Sequence, residues 1–114
     1  MNMATSEASA LRPYEVIACI SGKMLERART NEWTEVIELG KKYYEAVEAL
    51  RDIPPLTTSE RLARKALLAK ILEDDARIRN LAMPELARLG AMIGNIKRHQ
   101  SVLEAYCAPA RSEM

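Results

Sequence analysis

Residues 71–89 read ILEDDARIRNLAMPELARL, and whether Pro84 ends this helix or bends it decides the fold. Upstream, Leu67, Ile71, Ile78 and Leu81 form a helical pattern. Stepped at about 100° per residue from Ile78, the positions Leu81, Leu86, Leu89, Ile93 and Ile96 fall within an arc of about 140°. A helix that stops and restarts does not usually keep its phase, so the pattern predicts one long helix kinked at Pro84. Gly90 and Gly94 weaken its end as a hinge or stop. Asn95 to Tyr106 then read as a short last helix closing in QSVLEAY.

Outward from this stretch the punctuation is clear. Thr57 and Glu60 have capping-box spacing, which starts the third helix. Pro54-Pro55 ends the second firmly. That second helix carries Trp33, Val36, Ile37, Gly40, Tyr43, Tyr44, Val47 and Leu50 along one side and Glu35, Glu38, Lys41, Lys42, Glu45 and Glu48 along the other. Trp33 and Tyr43 read as core, and Gly40 between them suggests close approach of a neighbouring helix. Arg29-Thr30-Asn31 breaks the first pattern, and Thr30 or Asn31 can cap the second helix. The first helix starts at Pro13, a residue suited to the first turn; Ile17, Ile20, Met24 and Ala28 mark its buried side. Period-2 runs are absent, so no sheet is expected. The expected fold is all-α, an antiparallel helical bundle of three main helices plus a short C-terminal helix. Its expected parts are a disordered segment 1–12, a helical domain 13–107 and a disordered tail 108–114.

Composition narrows the function. The chain has 114 residues, 48% hydrophobic and 29% charged, enough for one domain with a modest core. Net charge is +1, so no global field draws in nucleic acid or an anionic membrane. Arg61, Arg64, Lys65, Arg77, Arg79 and Arg88 are interspersed with acids and have no aromatic among them for base stacking. No apolar run approaches the roughly 20 residues that span a bilayer. The first twelve residues lack a secretory pattern, so the expected location is the cytoplasm.

Chemistry finds no foothold. Cys19 reads as a small core residue, and Cys107 lies in the tail; no pairing suggests a disulfide or metal site. His99, the one histidine, follows Lys97 and Arg98 and reads as solvated. Glu73-Asp74-Asp75 reads as a solvated face, since neighbours on a helix point apart. No phosphate-binding glycine loop exists. No enzyme, cofactor or metal is expected. Tyr106 has eight residues after it, so little chain remains to bury it. It is a candidate contact for an outside partner; the alternative is that it folds back on its own helices.

Two runs carry a family resemblance. One is Glu32-Trp33-Thr34-Glu35-Val36-Ile37 with Tyr43 or Tyr44 downstream. The other is 71–89, with Asp75-Ala76-Arg77-Ile78-Arg79 at its centre, followed by QSVLEAY and its Ala105-Tyr106. Together they resemble the FliT family of flagellar type III export chaperones over about residues 13–107. The resemblance implies a cytoplasmic chaperone of the filament-cap protein FliD. It would bind the C-terminal segment of that protein, keep it unpolymerised and deliver it for export. Further implied partners are the export-gate protein FlhA, docked through the tyrosine matching Tyr106, and the export ATPase FliI with its companion FliJ. Enteric members also restrain the flagellar master transcription regulator, and a homodimer stays open.

An amphipathic cargo helix needs an apolar groove rather than catalysis. The groove is expected on Ile78, Leu81, Leu86, Leu89 and Ile93. The resemblance further implies that the last helix covers this groove, so a lid helix at about 95–106, tethered through Gly90–Gly94, is expected to cover it with Ile96, Val102 and Leu103. The rival is a helical adaptor or regulator outside export that acts by protein–protein contacts.

Overall fold

The computed structural model describes residues 2–107 and consists of four helices joined by short turns. They are α1 (Asn2–Arg29), α2 (Trp33–Glu48), α3 (Thr58–Ala82) and α4 (Leu86–Cys107). Among the described residues there is no strand, as the sequence periodicity required.

Local chemistry explains most boundaries. Asn31 adopts a left-handed φ of 65° between α1 and α2, a conformation Asn tolerates better than most residues. Its Oδ1 accepts the indole N–H of Trp33 at 2.6 Å, so the turn is tied to the first buried residue of α2. Neither Thr30 nor Asn31 caps that helix: the N-cap is Glu32, without a side-chain bond. The Thr30 hydroxyl turns back to the Arg27 carbonyl at 3.1 Å. α2 tightens into a 3₁₀ turn, Ala49–Asp52, before Pro54-Pro55. The capping box of α3 is present in full: Glu60 N–H donates to Thr57 Oγ1 at 3.1 Å, and Thr57 N–H donates to Glu60 Oε1 at 2.8 Å.

Two expectations change, the start of the first helix and the course of the chain at Pro84. The first helix begins at Asn2 rather than Pro13, and Pro13 lies inside it. Glu7, Ala8, Ala10 and Leu11 are tolerant of helix, and one lost backbone bond at proline does not end it. The expected tail, 108–114, lies outside the described residues. The larger change is at Pro84. Met83–Glu85 forms a 3₁₀ turn, and the chain reverses there instead of bending. Arg64 near the start of α3 donates to the carbonyl of Tyr106 at the end of α4, at 3.0 Å, which makes the two helices antiparallel. The supposed short last helix and the far half of the kinked helix are one element of 22 residues. The phase survives the break because α3 and α4 both turn their apolar stripes to the same core. Gly90 and Gly94 are ordinary interior positions of α4, with nothing within 4 Å of where a Cβ would stand.

The topology is up-down-up-down. α1 and α3 are parallel and in close contact, with Tyr14 beside Arg64 at 3.2 Å and Ser21 beside Asp74 at 2.9 Å. α2 packs on α1 and α4 on α3, while α2 and α4 barely meet. The molecule measures 46 × 35 × 21 Å. Its length matches α1, about 42 Å for 28 residues. Its thickness is that of two helix layers at roughly 10 Å each. The core joins Tyr14, Ile17 and Met24 of α1, Trp33, Val36, Tyr43 and Val47 of α2, Leu68, Ile71 and Ile78 of α3, and Leu89, Ile96 and Leu103 of α4. Trp33 and Tyr43 are core as expected, whereas Cys19 is exposed.

Candidate functional site

Because α2 and α4 sit apart on the α1–α3 pair, a groove of about 640 Å³ runs between them. That volume lies in the range of sites that take a small ligand; it also suits a few side chains of one docked helix face. α2 supplies Ile37, Gly40, Tyr43 and Tyr44, and α4 supplies Leu89, Met92, Ile96 and His99, with Met24 of α1 at the base. Ile37 is 40% exposed and Tyr44 52% exposed, large apolar surface that the fold leaves uncovered. Gly40 has a different role from the one expected. A Cβ there would meet Met24 Cε at 3.9 Å, an ordinary contact, so no helix approaches closely and the small residue keeps the groove open.

Of the residues expected to form a cargo groove whose side chains are described, Leu89 is the one that lines this groove. Ile78 and Ile93 are buried in the core, Leu81 is 40% exposed away from the groove, and the Leu86 side chain lies outside the described residues. Ile78 and Leu81 stand on α3, and Leu89 and Ile93 on α4, across the reversal at Pro84. The expected lid residues also separate: Ile96 lines the groove from below its rim, Leu103 is fully buried, and Val102 is exposed. α4 is thus one wall of the groove. Tyr106 is half-buried, its ring edge-on to Tyr14 with centroids 6.5 Å apart, and the Arg64 guanidinium lies 5.7 Å from its centroid. The fold-back alternative for this tyrosine describes its position.

Beneath the groove lies a polar layer where a solvated face is expected from residue type. Asp75 is fully buried and accepts the Tyr43 hydroxyl at 2.5 Å. Asp74 is buried too; Ser21 donates to it at 2.9 Å, and Lys70 pairs with it. Burial pushes the Asp75 carboxyl up to about 7, and the Asp74 charge adds to this, while the Tyr43 bond and Arg79 oppose it. Burial, then the nearby Asp75 charge, raises the Tyr43 phenol. The signal was present: 71, 74, 75 and 78 are spaced as one helix face, so Asp74 and Asp75 share the stripe of Ile71 and Ile78.

His99, expected to be solvated, is buried in the same way. It is 6% exposed, with its ring 5.5 Å from Tyr43 and 5.1 Å from Tyr44 between centroids. Burial holds its pKa below the ordinary value, Glu48 pulls it up and Arg98 pushes it down. Its Nδ1 is buried and has no hydrogen-bond partner among the described residues. Here also spacing could have found it, since 96, 99 and 103 continue one face of α4. Flanking Lys97 and Arg98 hid that phase.

Chemically the site offers aromatic and aliphatic surface with one buried imidazole and the exposed Lys41, Glu45 and Asn95. Tyr43 and the core separate Asp75 from the groove, so an occupant meets the phenol ring rather than the carboxyl. Among the described residues no three His, Cys, Asp or Glu side chains gather as a metal site. Nor is any described helix long and apolar enough to cross a membrane.

Comparison with known proteins agrees with this architecture. The family model described as flagellar protein FliT matches residues 11–108. Flagellar protein FliT of Yersinia pseudotuberculosis serotype O:3 (strain YPIII) is 29% identical over 99 residues, covering 84% of this chain and 82% of that protein. Flagellar protein FliT of Yersinia pestis (strain Pestoides F) is 28% identical over the same length. The crystal structure of flagellar protein FliT from Bordetella bronchiseptica is similar at 38% identity and a TM-score of 0.61, covering 73% of this chain and 98% of that one.

Proposed function

The chain belongs to the FliT family of flagellar proteins, and on that premise we propose that it is an export chaperone acting by binding alone. Its cargo is the C-terminal helical segment of the filament-cap protein FliD. The observation that carries this reading is the groove between α2 and α4, whose exposed Ile37 and Tyr44 are suited to the apolar face of an amphipathic helix. A covered apolar face cannot pair with another copy of the cargo, which keeps the cap protein unpolymerised in the cytoplasm until delivery. No step in this work needs a nucleotide, a metal or a nucleophile.

Delivery brings in the export gate FlhA, and FliI with FliJ, as further partners in the same reading. Tyr106 is the gate contact only through the part of its ring that Tyr14 and Arg64 leave uncovered, or after the last turn of α4 leaves Arg64. Lifting α4 from α3 would widen the groove and bare Ile96 and Leu103, the form a lid mechanism takes in this fold.

The test is calorimetric titration with a synthetic peptide copying the cap protein's C-terminal segment. Ile37→Glu and Tyr44→Glu place charge on surface that is already exposed, so melting should change little. Peptide affinity should fall at least about tenfold, the scale of a lost interface anchor. Unchanged affinity in both folded variants would remove the groove from cargo binding. Failure of the unmodified chain to bind the peptide would favour the adaptor reading.

A further inference from the structure

Lys41, Glu45 and Asn95 also line the groove but are exposed and stay solvated, whereas His99 is a buried polar side chain there, and it sets a requirement on whatever lies in the groove. The ring is walled by Tyr43 and Tyr44, nine-tenths buried, and lines the groove with Nδ1 unpartnered among the described residues. A neutral imidazole has one donor and one acceptor nitrogen. A half-turn about χ2 exchanges its two edges, so either nitrogen can face the groove. When an occupant covers the groove, water leaves the ring's last solvated edge. A wholly apolar occupant would then leave buried polar atoms without partners, which is costly.

Resting on the cargo reading above, we propose that His99 is the specificity-determining residue of the groove. The cargo helix it selects carries one neutral hydrogen-bonding side chain (Asn, Gln, Ser or Thr) among the apolar residues of its docking face. The surrounding leucine, isoleucine and methionine surface supplies non-directional attraction, which tolerates many apolar helices; the imidazole supplies register and choice.

The experiment uses the full chain and the same cap-protein peptide, read by calorimetry and by thermal melting. His99→Leu should bind about tenfold more weakly, because the cargo's polar group is left unpaired. It should melt no lower than the unmodified chain, since an unpartnered polar group has been removed from the interior. His99→Gln, which can donate and accept, should bind within about threefold of the unmodified chain. Peptides with each Asn, Gln, Ser or Thr of the apolar face changed in turn to Leu should include one that weakens binding to the unmodified chain about tenfold, with the loss absent in His99→Leu. Binding by His99→Leu within about twofold of the unmodified chain overturns the inference, as does a Gln variant as weak as the Leu variant, or a peptide series with no sensitive position. Should His99→Leu not fold, a Gln variant more than about threefold weaker than the unmodified chain, or a peptide series with no sensitive position, still overturns the inference. An unmodified chain that does not bind the peptide overturns the cargo reading itself, and this inference with it.

Discussion

Tyr43 works on both sides of the groove floor. Its ring faces the groove and His99, and its hydroxyl bonds Asp75 of α3. Tyr43→Phe should therefore leave the groove's shape intact but cost about 1–3 kcal/mol, because a buried carboxyl loses its partner. Denaturant unfolding at fixed pH checks this. The Asp75 pKa, about 7 in the folded chain against 3.8 ordinarily, also has a pH consequence. Between those values the native state holds a proton that the unfolded chain releases. Its stabilising contribution is complete below about pH 4 and lost as pH rises through about 7. A shift of this size bounds the loss at about 4 kcal/mol. His99, held below its ordinary pKa, works the other way and removes stability as pH falls below about 6.5. Denaturant unfolding from pH 4 to 8 should show the two slopes opposing each other. Asp75→Asn should remove the decline through pH 7 and leave the acid-side decline; an unchanged profile would mean that Asp75 titrates as an ordinary carboxylate.

At the scale of the helix, α4 carries the sharpest consequence. A lid resting on a finished domain could be cut away, and cargo binding would tighten as the competitor disappeared. In the bundle, truncation after Gly94 instead removes Ile96, His99 and Leu103, all buried. Deleting large buried aliphatic residues costs about 2–5 kcal/mol each, so two of them rival the whole stability of a small domain, about 5–15 kcal/mol. The expected outcome is a chain without a cooperative melting transition and without tighter peptide binding. A truncated protein that melts cooperatively and binds more tightly would restore the lid. Pro84 matters for the same reason. It makes a continuous helix costly, but the buried stripe of α4 is what holds the reversed arrangement.

In the molecule as a whole, stability is distributed by layer. α1 and α3 pack along each other and also carry α2 and α4, while each outer helix keeps a wall on the open groove. Amide exchange measures this directly. The slowest exchange is expected in the middle of α1, about 17–25, and of α3, about 68–78. α2 and the first half of α4 should exchange faster, and cargo peptide should slow them most if the groove is its seat. Slowest exchange in α2 would contradict the layering. The same geometry explains how an uncovered Ile37 and Tyr44 are tolerated: the core closes beneath them through Tyr43 and Met24, and folding does not depend on filling the groove.

The sequence alone determined the helical class, the capping box at Thr57–Glu60 and the breaks near Asn31 and Pro54-Pro55. These are local matters of backbone bonding, and a few adjacent residues decide them. It also held the burial of Asp74, Asp75 and His99 in its spacing, although residue type argued the other way. The reversal at Pro84, the role of α4 as a wall, and the placing of the groove between α2 and α4 were decided by the tertiary structure. Helical phase states which side of a helix is buried, never against what. A bent helix and a hairpin whose arms face one core leave the same stripe, and only packing tells them apart.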